Sequence, residues 1–157
     1  MDEINPGFGY CELIDKSLPF DHPPFFLFTF EMRQAMADLA QAVSTGISSQ
    51  QVREIVEMLD TLWEGLKDPD VRLPDAQRKS LNHEKEVWLD VKEKVMEGNT
   101  RASSLLSAST HMMRAVMYLK RLREDEEFRD VVSDYTVRYL HQLSLRTYRE
   151  AMGHVLL

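Results

Sequence analysis

The uneven distribution of proline and glycine is the feature that most constrains the fold of this chain. All six prolines lie at or before Pro74, and after that position only Gly98 and Gly153 interrupt the sequence. Both residues disfavour the interior of a helix, so a long stretch that nearly lacks them is usually helical. At 157 residues the chain has the usual size of one domain. The sequence therefore predicts an all-α, single-domain bundle.

The N-terminal segment has a different composition. Asn5-Pro6-Gly7 and Ser17-Leu18-Pro19 are rich in the residues that favour turns. We therefore expect an irregular N-terminal arm over residues 1–22 and a helical bundle domain over residues 23–157.

Start and stop signals divide the bundle into about five helices. Ser48 with Gln51 forms a capping-box pattern, and Asp68-Pro69 ends the helix that it starts. The acidic run Glu124–Glu127 suits the positive end of a helix dipole. The predicted helices cover about 24–43, 48–67, 75–97 and 100–123, and the last begins near 124. In the third, Leu81, Trp88, Val91 and Val95 are expected to face inward.

The last helix has apolar residues on two sides. Phe128, Val132, Tyr135 and Tyr139 share one side at helical spacing, whereas Val137, Tyr148, Ala151 and Val155 fall nearly opposite. Two alternatives follow from this pattern. Either the helix bends or breaks near residues 139–145, or it is covered on both sides.

Five of the seven phenylalanines lie between Phe20 and Phe30. A strand over 25–30 lacks a partner strand elsewhere, so we interpret this run as the first turns of a helix. Helical spacing then places six apolar residues on a core stripe: Phe25, Phe28, Met32, Met36, Leu39 and Val43. Phe26, Phe30, Ala37 and Ala40 fall on a second apolar stripe. We expect this second stripe to bind a partner, although another helix of the same chain could equally cover it.

The last helix offers a second candidate surface, because tyrosine and arginine are enriched at protein interfaces. Interleaved arginine and tyrosine can also stack on nucleic acid. The formal net charge of −7 makes nucleic acid an improbable partner and favours another protein. The residues of this face are Tyr135, Arg138, Tyr139, Arg146 and Arg149.

Arg149 and His154 are separated by four residues in Arg149-Glu150-Ala151-Met152-Gly153-His154. This segment resembles the arginine–histidine motif of HEPN-type ribonucleases, which are small helical domains that often dimerise. The resemblance implies a catalytic pair in which both side chains act on a phosphodiester and the histidine handles a proton. A ribonuclease is therefore one alternative function.

Other chemistry lacks a sequence signature. The histidine and acid spacings of metal sites are absent, no glycine-rich phosphate loop occurs, and the single cysteine, Cys11, cannot form an internal disulfide. We therefore expect no metal, no cofactor and no membrane span. Nine methionines could line an adaptable pocket, so a bundle that binds an apolar small molecule is a further alternative.

These observations favour a non-enzymatic helical module for protein–protein interaction or regulation. We expect it to be soluble and cytoplasmic, and to form a homodimer or to bind another protein. The ribonuclease and the apolar-ligand bundle remain the alternatives.

Overall fold

The computed structural model describes residues 6–86, 98 and 100–156. Within these residues a short antiparallel hairpin precedes five α-helices, so the predicted helical bundle is confirmed. The strands are β1 (Phe8–Cys11) and β2 (Lys16–Pro19). The helices are α1 (Phe25–Ser44), α2 (Ser49–Lys67), α3 (Asp75–Asn82), α4 (Thr100–Leu122) and α5 (Asp134–Leu156).

The bounds of α1, α2 and α4 agree with the predicted ones, and Phe25–Phe30 is helical rather than extended. Proline at the start of α1 costs nothing, because the first N–H groups of a helix have no intrahelical partner. Ser48 stands at the N-cap position of α2, but its side chain makes no capping hydrogen bond. The position of the cap was therefore correct and the capping-box bond was not.

The third helix is shorter than predicted. It ends at Asn82, and the chain turns at His83, where the Glu84 N–H donates to the Leu81 carbonyl. In this turn the Glu84 side chain contacts α5. The expectation for Leu81 is confirmed by its complete burial, whereas Trp88, Val91 and Val95 lie outside the described residues.

The last helix begins ten residues later than predicted. The acidic run forms turns, in which the Asp125 carboxylate accepts a hydrogen bond from the Glu127 N–H at 3.0 Å. Ser133 instead caps α5, since its hydroxyl accepts from the Thr136 N–H at 3.3 Å. From Asp134 the helix continues without interruption through residues 139–145. The bend or break near residues 139–145 is therefore the wrong alternative. Phe128 and Val132 precede the helix, and of the remaining residues Tyr139 and Ala151 are buried while Val137 and Tyr148 are partly buried.

The core lies between α1, α4 and α5, with α4 in the middle of the three. Polar pairs join α1 to α4 at the edge of their interface: Ser107 donates to Asp38 at 2.6 Å, and Glu31 pairs with His111 and with Arg114. The second and third helices pack on α5. Contacts between α1 and α2 are sparse, which leaves a depression between these two helices.

The segment expected to be irregular contains the hairpin. Its strands pair in the register Phe8↔Pro19 to Cys11↔Lys16, and Cys11 and Leu18 are buried against the bundle. The backbone of Gly9 approaches the phenylalanine rings too closely for a larger side chain. A Cβ atom there would lie 2.7 Å from Cζ of Phe26 and 2.9 Å from Cε1 of Phe20. The strand therefore rests directly on the phenylalanine rings of α1.

We predict that Gly9→Ala pushes the hairpin away from α1 and costs about 1–3 kcal/mol, the usual cost of overpacking. Burial raises the pKa of the Cys11 thiol, so the wild-type thiol is protected and poorly ionised. The variant should therefore show a lower melting temperature and faster modification of Cys11 by a thiol reagent.

Gly153→Ala is the matched control, since nothing lies within 4 Å of a Cβ atom at that helical position. It should leave the reactivity of Cys11 at the wild-type level and should not lower the melting temperature, since alanine favours a helix more than glycine does. Unchanged melting temperature and thiol reactivity in Gly9→Ala would contradict the described contact between hairpin and helix.

Candidate partner-binding surface and buried ion-pair cluster

The first turns of α1 bury two phenylalanines as predicted. Phe25 is buried and stacks on Phe128 from the turns before α5, with ring centroids 6.0 Å apart. Phe28 is buried and stacks on Trp63 of α2 at 6.3 Å. Rings from two other parts of the chain therefore cover the start of the predicted core stripe. Farther along α1 the prediction is wrong for Met36 and Val43, which are exposed, whereas Ala35 and Ala42 are buried.

The second stripe is only partly covered. Phe26 is half-buried beneath the hairpin, with its ring centroid 5.2 Å from that of Phe20. Phe30 is 45% exposed, and the guanidinium carbon of Arg33 lies 5.7 Å from its ring centroid. Ala37 is exposed. The hairpin therefore covers the start of this stripe and leaves the rest open.

An aromatic groove of about 630 Å³ runs between the hairpin, α1 and α2. It continues into a depression of about 430 Å³ between α1 and α2, and the two share Met32, Arg33 and Trp63. The other side chains that line the groove or its continuation include Tyr10, Phe20, Phe26, Phe30, Met36 and Leu59.

Beside this groove, α1 carries a regular seam on its surface. The residues of this α1 seam are Phe26, Phe30, Arg33, Ala37, Ala40 and Ser44. Their spacings alternate between four and three residues, as in the contact positions of a coiled coil. All of them except the half-buried Phe26 are exposed. Two alanines at the centre would let another helix approach closely.

The arginine–tyrosine face of α5 is largely occupied by the chain itself. Tyr135 accepts a hydrogen bond from the Leu73 N–H at 2.6 Å, and Arg138 donates to Asn82 at 3.0 Å. Tyr139 and Arg146 are buried. The single chain therefore does not present Tyr139 and Arg146 on an open surface, and Arg146 is engaged by Ser80 and Glu84. For Tyr135, Arg138 and Arg149 a partner contact remains a prediction.

Two of these arginines hold a buried carboxylate. The Glu84 side chain is 6% exposed and accepts from Nε of Arg146 at 2.5 Å and from Nη2 of Arg149 at 2.8 Å. Arg146 also donates to the Ser80 hydroxyl. Burial by itself would raise the pKa of Glu84, but the hydrogen bonds from Arg149 and Arg146 outweigh it and hold that pKa below its ordinary value.

Arg149 and His154 both lie in α5, five positions apart. Five residues along a helix correspond to a rotation of about 140°, so the two side chains leave α5 in different directions. Arg149 is engaged by Glu84, and its pKa is raised by that hydrogen bond. Ribonuclease activity thus stays an untested alternative that this arrangement does not favour.

Sequence reasoning missed Glu84 and Gly9. Glu84 sits in the polar run Asn82–Glu86, which is typical of a solvated helix surface. No signal within that run indicates a buried partner, because both arginines lie more than 60 residues away. Gly9 had a signal, since a glycine within a short β-like run often marks a close approach of the backbone to another group.

Two further findings concern the described part of the chain. No group of three or more histidine, cysteine, aspartate or glutamate side chains there is placed to hold a metal ion. None of the helices described has the length and apolar character needed to cross a membrane.

The fold and these sites define a helical bundle with an N-terminal hairpin, an aromatic groove and an internal carboxylate–arginine cluster. The chain belongs to the family described as a domain of unknown function, DUF1940, whose model matches residues 10–153. That match includes almost the whole hairpin and most of α5. No curated protein matches the chain.

We predict that Glu84→Gln destabilises the fold at neutral pH by about 1–3 kcal/mol, because it removes the anion that pairs with Arg149 and with the buried Arg146, which then has Glu54 at 3.8 Å as a carboxylate partner. The pKa of Glu84 is lower in the folded chain than its ordinary value of 4.5, so the carboxylate contributes stability above that value. The contribution disappears as the pH falls through the folded pKa. Chemical denaturation of both proteins at several pH values measures the effect.

The free-energy difference between wild type and Glu84→Gln should therefore be largest near neutral pH and shrink below about pH 4.5. Glu86→Gln is the control, since the Glu86 side chain is 73% exposed and pairs with the partly exposed His141. An equal loss of stability in the two variants would contradict the role assigned to Glu84.

Proposed function

We propose that the chain is a non-enzymatic interaction module that forms a homodimer through the α1 seam. The observation that carries this proposal is the distribution of exposed apolar side chains. In the described residues, six of the seven large hydrophobic side chains that are exposed belong to the hairpin, its connection to α1, or α1 itself. They are Phe8, Tyr10, Phe20, Phe30, Met36 and Val43.

The spacing of the α1 seam supports a helix as the partner. Because the spacing between seam residues alternates between four and three, their side chains form one line along the helix. In a coiled coil such a line faces the partner helix over its whole length. Ala37 and Ala40 occupy the centre of that line, and Met36 and Val43 flank it. A second copy of α1 presents the same surface, as a two-fold symmetric interface requires.

Charge favours an antiparallel pair. The structure describes every residue of α1. Arg33 is the one charged residue of its seam, and the last turn of the helix contains no basic residue. Antiparallel packing centred between Ala37 and Ala40 places Arg33 beside the second copy's Ser44. The carbonyl groups at that end carry the negative end of the helix dipole. Parallel packing would instead place two Arg33 side chains together.

We predict that Ala37→Glu weakens the dimer at least about tenfold, because a charged carboxylate would be desolvated at the centre of the interface. Ala37 is exposed in the single chain, and glutamate is a good helix former, so the fold should be retained. Gel filtration with light scattering over a range of concentrations measures the dissociation constant.

Ala76→Glu is the matched control. It makes the same substitution at an exposed helical position of α3, away from the seam, and should leave the dimer unchanged. We take a dissociation constant of roughly 100 micromolar as the weak limit for a specific dimer. A wild-type chain that is monomeric at that concentration would refute the dimer. Equal dimerisation of the two variants would refute the seam as its interface.

The cytoplasmic location stays a prediction from the sequence. A single cysteine that is buried in the hairpin fits a reducing compartment, in which disulfides contribute little to small folds.

A further inference from the structure

A second cavity lies beside the cluster of Glu84, Arg146 and Arg149, between the end of α3 and the C-terminal half of α5. Its volume is about 560 Å³, which lies within the range of small-molecule sites. The side chains that line it are those of Ser80, His83, Glu84, Lys85, Leu145, Arg146, Tyr148, Arg149 and Met152.

The charges of this cavity oppose those of the whole chain. At neutral pH its lining contributes the cations of Lys85, Arg146 and Arg149, against the carboxylate of Glu84. The complete chain has a formal charge of −7. A locally positive cavity in an acidic protein attracts anions to that place rather than to the surface as a whole.

The guanidinium groups of Arg146 and Arg149 differ in their exposure to an incoming ligand. Arg146 is fixed, because its side chain is 11% exposed and donates to both Glu84 and Ser80. Arg149 binds Glu84 through Nε and Nη2, yet its side chain is 60% exposed. Glu84 therefore orients a guanidinium group whose remaining edge is open to an incoming ligand. A pre-oriented arginine suits planar recognition of carboxylate and phosphate groups.

The rest of the cavity is apolar. Leu145, Tyr148 and Met152 follow one another at spacings of three and four residues, so they lie along the same side of α5 as Arg149. An anion bound at Arg149 would thus have an apolar surface beside it.

From this arrangement we propose that the cavity binds an oxyanion, a phosphate or carboxylate group, that carries an apolar chain. Arg149 and Lys85 would hold the oxyanion, and Leu145, Tyr148 and Met152 would contact the apolar chain. The site is separate from the α1 seam and does not depend on dimerisation.

Isothermal titration calorimetry of the full chain with three probes tests the proposal. Octyl phosphate supplies both features, octyl glucoside supplies the apolar chain without charge, and inorganic phosphate supplies the oxyanion alone. We expect octyl phosphate, used below its micelle concentration, to bind at least about tenfold more tightly than either of the others. Arg149→Gln should remove most of that advantage.

Arg129→Gln is the matched control, because Arg129 is exposed in the turns before α5 and lines a different cavity. It should bind octyl phosphate as wild type does. Equal affinity for octyl phosphate and octyl glucoside would overturn the oxyanion site, and equal affinity for inorganic phosphate would overturn the apolar part. Equal losses in Arg149→Gln and Arg129→Gln would overturn the assignment to this cavity.

Discussion

The structure depends on burying an excess of phenylalanine at the start of α1. One side of a helix cannot hide this many rings, so other parts of the chain are recruited to cover them. Trp63 stacks on Phe28, Phe128 stacks on Phe25, and the hairpin lies on Phe26. The positions of α2, of the turns before α5 and of the hairpin are thus linked to a single aromatic cluster. Phe30 is left at the edge of this cluster, which is why we assign the adjoining seam to a second copy.

A different interaction fixes the opposite side of the bundle. Glu84 leaves the turn after α3 and reaches two arginines of α5, which are otherwise separated from it by more than 60 residues of chain. A carboxylate buried between guanidinium groups is costly to disrupt, although it need not stabilise more than apolar packing would. It joins the turn after α3 to the C-terminal half of α5. The same contacts orient Arg149 toward the neighbouring cavity.

Local patterns predicted the helical class, the burial of Phe25, Phe28 and Leu39 on α1, and the approximate bounds of α1, α2 and α4. The same helical spacing placed Met36 and Val43 in the core, but both are exposed, and the smaller Ala35 and Ala42 are buried instead. The third helix stops at Asn82, and the last helix begins after Ser133 rather than at the acidic run. Tyr139 and Arg146 are buried, which residue types alone do not show. The α1 seam was partly visible, since Phe26, Phe30 and Ala37 already shared one stripe. Only the structure shows which of them the hairpin covers.

Cysteine cross-linking of mixed variants tests the central claim most directly, namely that a second copy covers the α1 seam in antiparallel orientation. Arg33→Cys and Ser44→Cys are purified separately and then mixed under mild oxidation, with the native Cys11 protected by burial. The account predicts rapid formation of the mixed disulfide dimer between Cys variants at positions 33 and 44, because these positions adjoin only in the antiparallel pair. Cross-linking mainly between two Arg33→Cys chains would contradict the antiparallel orientation. A yield of disulfide dimer no higher than that of an Ala76→Cys control would contradict the dimer itself.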